Sequence, residues 1–395
     1  MFEKEAIISD FDAVTSVDTI LPAILLLSVS FYVLVQLGLL LGLRRTTYPK
    51  SEAQPTVSVI VAARNEESNI GRLLEQLTAQ TYPNYEIIIV NDRSTDRTSD
   101  IVKSFQKPHP TVQLVNIASL PSSMPPKKYA LSEGIKLSKG EILCFTDADC
   151  IPSRGWISSL VALFTPDVGM VAGYSPYTEP SSRSLIKKLL YQFIAYEEFK
   201  GAVWSAGSIG WNKGWLCTGR NLAYRRRVYD EVGGFELIKK SVSGDDDLFL
   251  QAVRRETKWE IRYVTDPEST VTTFPPDSFR SFVEQRTRHF SAGRFFSFPM
   301  KLFFFLFHSS NLILLCGFLF YLAGSTAENL ALSAFVVKLT ADLAVFLAAG
   351  EVLHQKGFGV RFLLMEILYI FYNTFIGPLG FINSFEWKPA EHPQP

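Results

Sequence analysis

Cysteine is scarce. The chain has four in 395 residues, at 144, 150, 217 and 316, and no two stand in a CxxC spacing. That leaves a zinc ribbon or a disulfide framework without support and favours a reduced compartment with ordinary core thiols. Net charge is also lacking: Lys+Arg and Asp+Glu are both 39. A chain without basic excess gives no electrostatic reason to expect nucleic acid as a partner. Neither GxGxxG nor GxxxxGK[ST] occurs on a strand-ending turn, which argues against a dinucleotide oxidoreductase and a P-loop ATPase. What the chain has in abundance is apolar residues, 47% of the total with 31 phenylalanines, and the excess sits at the two ends.

Residues 20–43, ILPAILLLSVSFYVLVQLGLLLGL, contain no charge, and about 20 apolar residues suffice to span a bilayer as a helix. The preceding flank is acidic (Glu3, Glu5, Asp10, Asp12, Asp18), and Arg44, Arg45 and Lys50 follow. A signal peptide has the opposite, basic start and a shorter apolar core. The segment is therefore expected to be a retained anchor, with tail 1–19 outside and residue 50 in the cytoplasm. Three more spans are expected near 302–323, 330–350 and 361–383, followed by a tail, 384–395. The second carries Lys338 and Asp342, four apart on one helical face where they can pair. Lys356 and Arg361 suit a cytoplasmic loop, which gives four spans with both termini outside. Three spans with a re-entrant middle segment are the alternative.

Between the anchors, residues 55–295 alternate strand and helix. TVSVIVAARNEE opens with a buried strand, 57–61. SNIGRLLEQLTAQ follows as an amphipathic helix, with Ser68 as its cap and Ile70, Leu73, Leu74 and Leu77 as its apolar face. YEIIIVNDRSTD is a second strand, TSDIVKSFQ a helix, VQLVNI a strand, KKYALSEGIKLS a helix and EILCFTDAD a strand. This rhythm predicts an α/β fold with a mostly parallel sheet covered on both faces. Ligands of such sheets bind beyond the carboxyl ends of the strands. Three of these strands end in the polar clusters ARNEE, NDRSTD and DAD.

Asp147 and Asp149 stand at i and i+2 on a strand end, where they would repel each other without a cation. A hard divalent ion relieves this and completes its shell with water or phosphate oxygens. A second acidic cluster, GDDDLFL at 244–250, opens an apolar helical pattern. On pattern alone it reads as a helix start stabilised by its dipole.

VSVIVAARNEE, VNDRSTD, KKYAL…GEILCFTDAD, TGRNLAYRR, GDDDLFL and QRTRH occur in the order found in inverting family-2 glycosyltransferases with the GT-A fold, which this sequence resembles over about 56–294. The resemblance implies a nucleoside diphosphate sugar donor, expected to be UDP-linked, whose base and ribose are held by Ala63, Arg64, Glu66 and Asp92. It places Lys127, or its neighbour Lys128, at the diphosphate. It makes Asp149 the direct ligand of a magnesium or manganese ion, with Asp147 facing ribose or metal-bound water. It assigns the general base to the acidic triplet, Asp246 ahead of Asp247, with Asp245 beside them; the family's usual pair is Glu-Asp. QRTRH resembles the family's QxxRW: Gln285, Arg286 and Arg288 match its polar character, Arg288 suits the diphosphate, and His289 replaces the tryptophan beneath the acceptor. That departure puts processive chain growth in doubt. Trp211 and Trp215, between the two acidic clusters, either form the acceptor cleft or are packing residues.

SLIKKLLYQFIAYEEF, with Leu185, Ile186, Leu189, Leu190, Phe193 and Ile194 at helical spacing beside Lys187 and Lys188, suits either an interfacial helix or a core helix. FSAGRFFSFPMKLFFFLF is expected to be interfacial before it enters the membrane. The resulting expectation is a metal-dependent transfer of sugar to a lipid or lipid-linked glycan at the membrane surface. Its rivals are a processive polysaccharide synthase with a membrane channel and a sugar-nucleotide-binding membrane scaffold without turnover.

Overall fold

The computed structural model describes residues 17–121, 123–180, 184–324, 328–355 and 359–382. Expectations for Glu3, Glu5, Asp10, Asp12, Lys356 and the tail 384–395 fall outside them. Nine strands are present among the described residues: β1 (Val57–Ala63), β2 (Tyr85–Asp92), β3 (Val112–Ile117), β4 (Ile142–Phe145), β5 (Cys150–Pro152), β6 (Val168–Gly173), β7 (Leu222–Arg225), β8 (Glu260–Val264) and β9 (Val271–Thr273). Seven form one sheet in the order β3-β2-β1-β4-β7-β6-β8, and β5 pairs with β9. β1 runs parallel to both β2 and β4, β2 to β3, and β6 to β8; β7 is antiparallel to β4 and β6. The sheet is thus mostly parallel, as expected. After β3 the chain returns to the far side of β1 to lay down β4. The crevice between the ends of β1 and β4 is the point where strand order reverses, the place where open α/β sheets bind ligands.

The connecting helices are α1 (Val17–Leu43), α2 (Ile70–Thr78), α3 (Thr98–Gln106), α4 (Pro126–Leu137), α5 (Trp156–Val161), α6 (Leu185–Ile209), α7 (Arg226–Val232), α8 (Asp247–Glu256) and α9 (Phe279–Phe290). Ile70, Leu73, Leu74 and Leu77 of α2 are buried as their spacing requires. The cap is Asn69 rather than Ser68 and makes no side-chain capping bond; its amide donates to Glu66 Oε2 at 2.8 Å. Strand alternation divides the core. Val57, Val59, Val61 and Ala63 face the layer of α2, α3 and α5. Ile60 and Ala62 face the layer that holds α6 and α8.

That second layer continues into the membrane helices α10 (Phe298–Leu322), α11 (Glu328–Val352), α12 (Phe362–Phe375) and α13 (Leu379–Ile382). Four segments are long and apolar enough to cross a membrane: Ile20–Leu43, Phe298–Leu322, Asn329–Val352 and Phe362–Ile382. α6 joins the two halves. Leu185 and Ile186 in its first turn are 80% and 81% exposed, while Phe193, Ile194, Tyr196 and Phe199 are buried. Its first turn is therefore exposed, and beyond that it is a core helix. Where α6 crosses α1 the backbones touch. A Cβ on Gly42 would lie 1.9 Å from the Gly207 carbonyl oxygen, and one on Gly210 would lie 2.0 Å from that of Gly42.

Lys338 and Asp342 pair at 2.7 Å, as their spacing predicted. They also belong to a larger buried network. Lys338 lies 3.1 Å from Glu366 of α12, and Lys200 of α6 lies 2.7 Å from Glu366 and 3.4 Å from Asp342. Tyr32 and Gln36 of α1 donate to Asp342 at 2.6 and 2.8 Å, and Tyr196 donates to Glu366. Two cations and two carboxylates thus balance inside the helix bundle.

Candidate active site

A cavity of about 860 Å³ opens at the β1/β4 crevice and extends to the membrane helices. The end of β1 contributes Ala62, the turn after it Arg64 and Glu66, and the turn after β4 Asp147 and Asp149. Asp245, Asp246 and Asp247 enter from the start of α8. Gln285, Arg288 and His289 enter from α9. The polar motifs that lie far apart in the chain meet here because each one ends a strand or begins or closes a helix around the same crevice.

Lys127 ties two of them together. Its ammonium lies 3.0 Å from Asp147 Oδ1 and 3.1 Å from Asp245 Oδ2. Burial alone would lower the Lys127 pKa, but Asp147 and Asp245 outweigh it and raise it. Burial raises the Asp147 pKa, and Lys127 more than reverses that, so the carboxyl sits below its ordinary range. Asp149 is different: burial, then Asp147 and Glu66, push it upward. Lys128 is turned away and buried, donating to the carbonyls of Ser241 and Ser243, the latter at 2.7 Å. Of the two candidate lysines only Lys127 faces the cavity.

In the acidic triplet, Asp246 is the N-cap of α8. It accepts from Asp247 N at 2.7 Å and from Gly219 N at 2.9 Å. Asp247 accepts from Cys217 N at 2.6 Å. Burial raises the pKa of both, reinforced at Asp246 by Asp245 and at Asp247 by Asp246.

Arg286 lies 2.6 Å from Glu197 and 3.2 Å from Glu198, and Arg220 lies 2.7 Å from Glu198. Glu198 is thereby held below its usual pKa, Arg220 and Arg286 overcoming its burial. Arg288 has no carboxylate within ion-pair distance among the described residues. Arg286 Nη1 is 3.3 Å from His289 Nδ1; a guanidinium only donates, so Nδ1 accepts and the ring is neutral. The His289 side chain is open to the cavity, and desolvation by the surrounding walls together with Arg286, Arg288, Arg220 and Lys127 drives its pKa well below its usual value. Glu197, Glu198 and Arg220 escaped the sequence analysis. Their only trace there was two acids within an otherwise apolar helical pattern and one arginine in TGRN.

Four candidates stand elsewhere. Ala63 is on the opposite face of β1 from Ala62. Asp92 is fully buried and held by Arg93 Nε at 2.8 Å and Nη2 at 3.2 Å. Trp215 packs at tilted and edge-on angles among Trp204, Phe303 and Phe304. Trp211 donates to the Gly38 carbonyl at 2.8 Å and lies under Arg45, 3.7 Å from its ring centre. The two tryptophans are packing residues between α6, α1 and α10, because the segment after α6 runs along the membrane bundle before it returns to the crevice.

Among the described residues no three His, Cys, Asp or Glu side chains gather closely enough to enclose an ion. Asp149 and Asp147 supply two hard oxygen donors. Asp149 has two acids beside it and no ammonium or guanidinium within ion-pair distance among the described residues, which suits a site whose remaining ligands are water and phosphate.

Glycosyltransferase like family 2 matches residues 55–292. The chain is 29% identical over 239 residues to a probable glycosyltransferase, YdaM, of Bacillus subtilis, covering 59% of this chain and 54% of that protein. It is 28% identical over 225 residues to the beta-monoglucosyldiacylglycerol synthase of Nostoc, covering 55% and 46%. The chain thus spans about half the length of these curated relatives. The mannosyltransferase PcManGT of Pyrobaculum calidifontis, solved with GDP-Man and Mn2+, superposes with a TM-score of 0.50 at 19% identity, covering 89% of this chain and 99% of that one. That likeness concerns the fold, a GT-A-type sheet. The family match runs over the segment that builds the sheet and walls the cavity, and on that ground the chain belongs to glycosyltransferase family 2.

Proposed function

We propose that the protein transfers a sugar, with inversion, from a nucleoside diphosphate sugar to a lipid or lipid-linked glycan, working from the cytoplasmic face of the membrane. The observation that carries this reading is the continuity of one cavity from the acidic clusters to the membrane helices. Two relatives are named for related chemistry, the diacylglycerol glucoside synthase above and a dolichyl phosphate-linked glycosyltransferase of Methanococcus voltae.

Arg64 and Glu66 line the donor end and would hold the nucleoside. A UDP-linked donor is the first expectation, since Glu66 can accept the uracil imide hydrogen. Lys127 and Arg288 face the position of the diphosphate and oppose its charge as it departs. Asp149, with Asp147, would hold a magnesium or manganese ion. Such an ion supplies charge neutralisation on the diphosphate oxygens of the leaving group.

Asp246 is the proposed base. Two backbone N–H groups fix its orientation, and it can take the proton of the acceptor hydroxyl as that oxygen bonds to the anomeric carbon. The bond from that carbon to the diphosphate breaks on the opposite face, and its electron pair leaves with the nucleoside diphosphate. Gln285 and His289 stand at the acceptor side.

The test is the purified protein in lipid vesicles with a panel of UDP- and GDP-sugars, scored for nucleoside diphosphate release. Release should require magnesium or manganese. Asp149→Asn should abolish turnover and weaken manganese-dependent donor binding. Binding without release across the panel would support the scaffold reading instead.

A further inference from the structure

We propose that the membrane end of the cavity is a binding site for the hydrocarbon chain of the acceptor, entered sideways from the bilayer between α10 and α13. This rests on the lipid-acceptor reading above and adds where, and through which opening, the lipid is held. The lining changes character along the cavity. At the crevice it is charged; beyond His289 its apolar part comes from Phe304, Phe305 and Leu312 of α10 and from Pro378 and Phe381 around α13, with few charges among them.

Two of these residues locate the opening. Phe305 and Phe381 border the cavity and are 67% and 51% exposed. Both belong to segments of membrane-spanning composition. A mouth framed by exposed phenylalanine is unfavourable against water and suits hydrocarbon. Polar residues are interspersed there: Asn373 donates to the Tyr369 carbonyl and Thr374 to that of Ile370, each at 2.8 Å, Lys301 donates to the Arg294 carbonyl at 2.7 Å, and His308 and Ser309 also line the wall. From Phe305 to Leu312 the wall runs on the order of 10 Å along α10. That length accommodates the first part of a chain while the rest stays in the bilayer.

The wall is fastened to the chemistry. Gly380 sits so close to α9 that a Cβ there would lie 2.4 Å from Phe290 Cβ. The Phe381 ring rests on Gly293, and Arg294 Nε donates to the Gly380 carbonyl at 3.0 Å. The opening is therefore held against the end of α9 that carries Arg288 and His289. The ligand is a hydroxyl-bearing amphiphile whose tail lies at Phe305 and Leu312 and whose headgroup reaches Asp246. A diacylglycerol and a glycosylated polyprenyl phosphate share that chemistry.

The experiment uses the full chain in phosphatidylcholine vesicles. Diazirine-tailed diacylglycerol and diazirine-tailed, glycosylated polyprenyl phosphate are added separately, and labelled peptides are mapped by mass spectrometry. One of the two probes should concentrate on 304–312 and 378–381, and which one does so identifies the source. Ser309→Trp, which fills the lined region, should lower that labelling at least tenfold and raise the acceptor KM at least tenfold. Binding of UDP and GDP shows whether the variant has folded; if it has not, Leu312→Trp takes its place with the same expectation. Labelling by both probes spread evenly over α1 and α11, or unchanged in the tryptophan variants, overturns the proposal. If the wild type transfers sugar to lipid and both folded variants keep its acceptor KM, the chain site alone is wrong. If the wild type glycosylates only water-soluble acceptors, the lipid-acceptor reading fails with it.

Discussion

At the residue scale, Asp246 combines a fixed direction with a raised pKa. A base must be ionised to act. Burial and Asp245 push the Asp246 pKa up, so the acid is protonated and idle over a wider range of low pH. The acidic limb of kcat against pH should therefore fall above the ordinary carboxylate value of about 3.9. Activity should rise with pH through that limb. Asp246→Asn should lower kcat by about a hundred- to ten-thousand-fold while donor affinity stays near wild type. Initial rates at saturating donor, beside calorimetric donor titration, read both. If Asp246→Asn turns over normally and Asp247→Asn does not, the base is the neighbour held by Cys217 N. Residues such as Asp147, Asp149, Lys127 and Arg288 were legible because each lies in a short motif that ends a strand or occupies a helix. Glu197 and Glu198 were not, because their partners Arg220 and Arg286 lie 22 or more positions away along the chain. Ala63 and Asp92 were misplaced for a different reason: a motif names a turn, and the pleat then decides which of its neighbours faces the ligand.

At the element scale, α6 is the member whose length and apolar pattern concealed its task. Its middle carries Glu197 and Glu198 toward the cavity, and its next turn carries Lys200 into the membrane network. The i,i+4 pair Lys338–Asp342 could be read from spacing alone. Glu366 and Lys200 could not, since nothing local separates a buried partner from a solvated charge. Removing one member of such a set leaves an uncompensated buried charge. Glu366→Gln leaves Lys200 and Lys338 to share Asp342 alone, one buried positive charge in excess, and should destabilise the protein by about 3–5 kcal/mol. Thermal unfolding in detergent should show this as a lowered Tm. An unchanged Tm would mean that water already reaches the network. The antiparallel β7, inserted between β4 and β6, was likewise invisible in LAYR, whose four residues carry too little pattern to give direction.

At the scale of the whole molecule, the proposed topology, drawn from the charge asymmetry about α1 and four apolar segments, predicts residue 50 on the cytoplasmic face and the C-terminus on the other. Ser51→Cys and Pro395→Cys, each in a cysteine-free background, should react with an impermeant maleimide from opposite sides in intact and opened cells. Labelling of both from one side would favour three spans. The strand-helix rhythm and the apolar ends made the architecture legible before any coordinates. The joining of the two parts was not, because it rests on glycines that look unremarkable in sequence.

That joining makes the anchor a non-interchangeable part. Gly42 and Gly207 meet backbone to backbone, so α1 does more than hold the enzyme near its substrate; it completes the surface on which α6 is seated. Another membrane helix of equal length and hydropathy would not substitute for it. Nor is the family-matched segment a module that can be cut free: excised at residue 55, it would lose the helix against which α6 is packed.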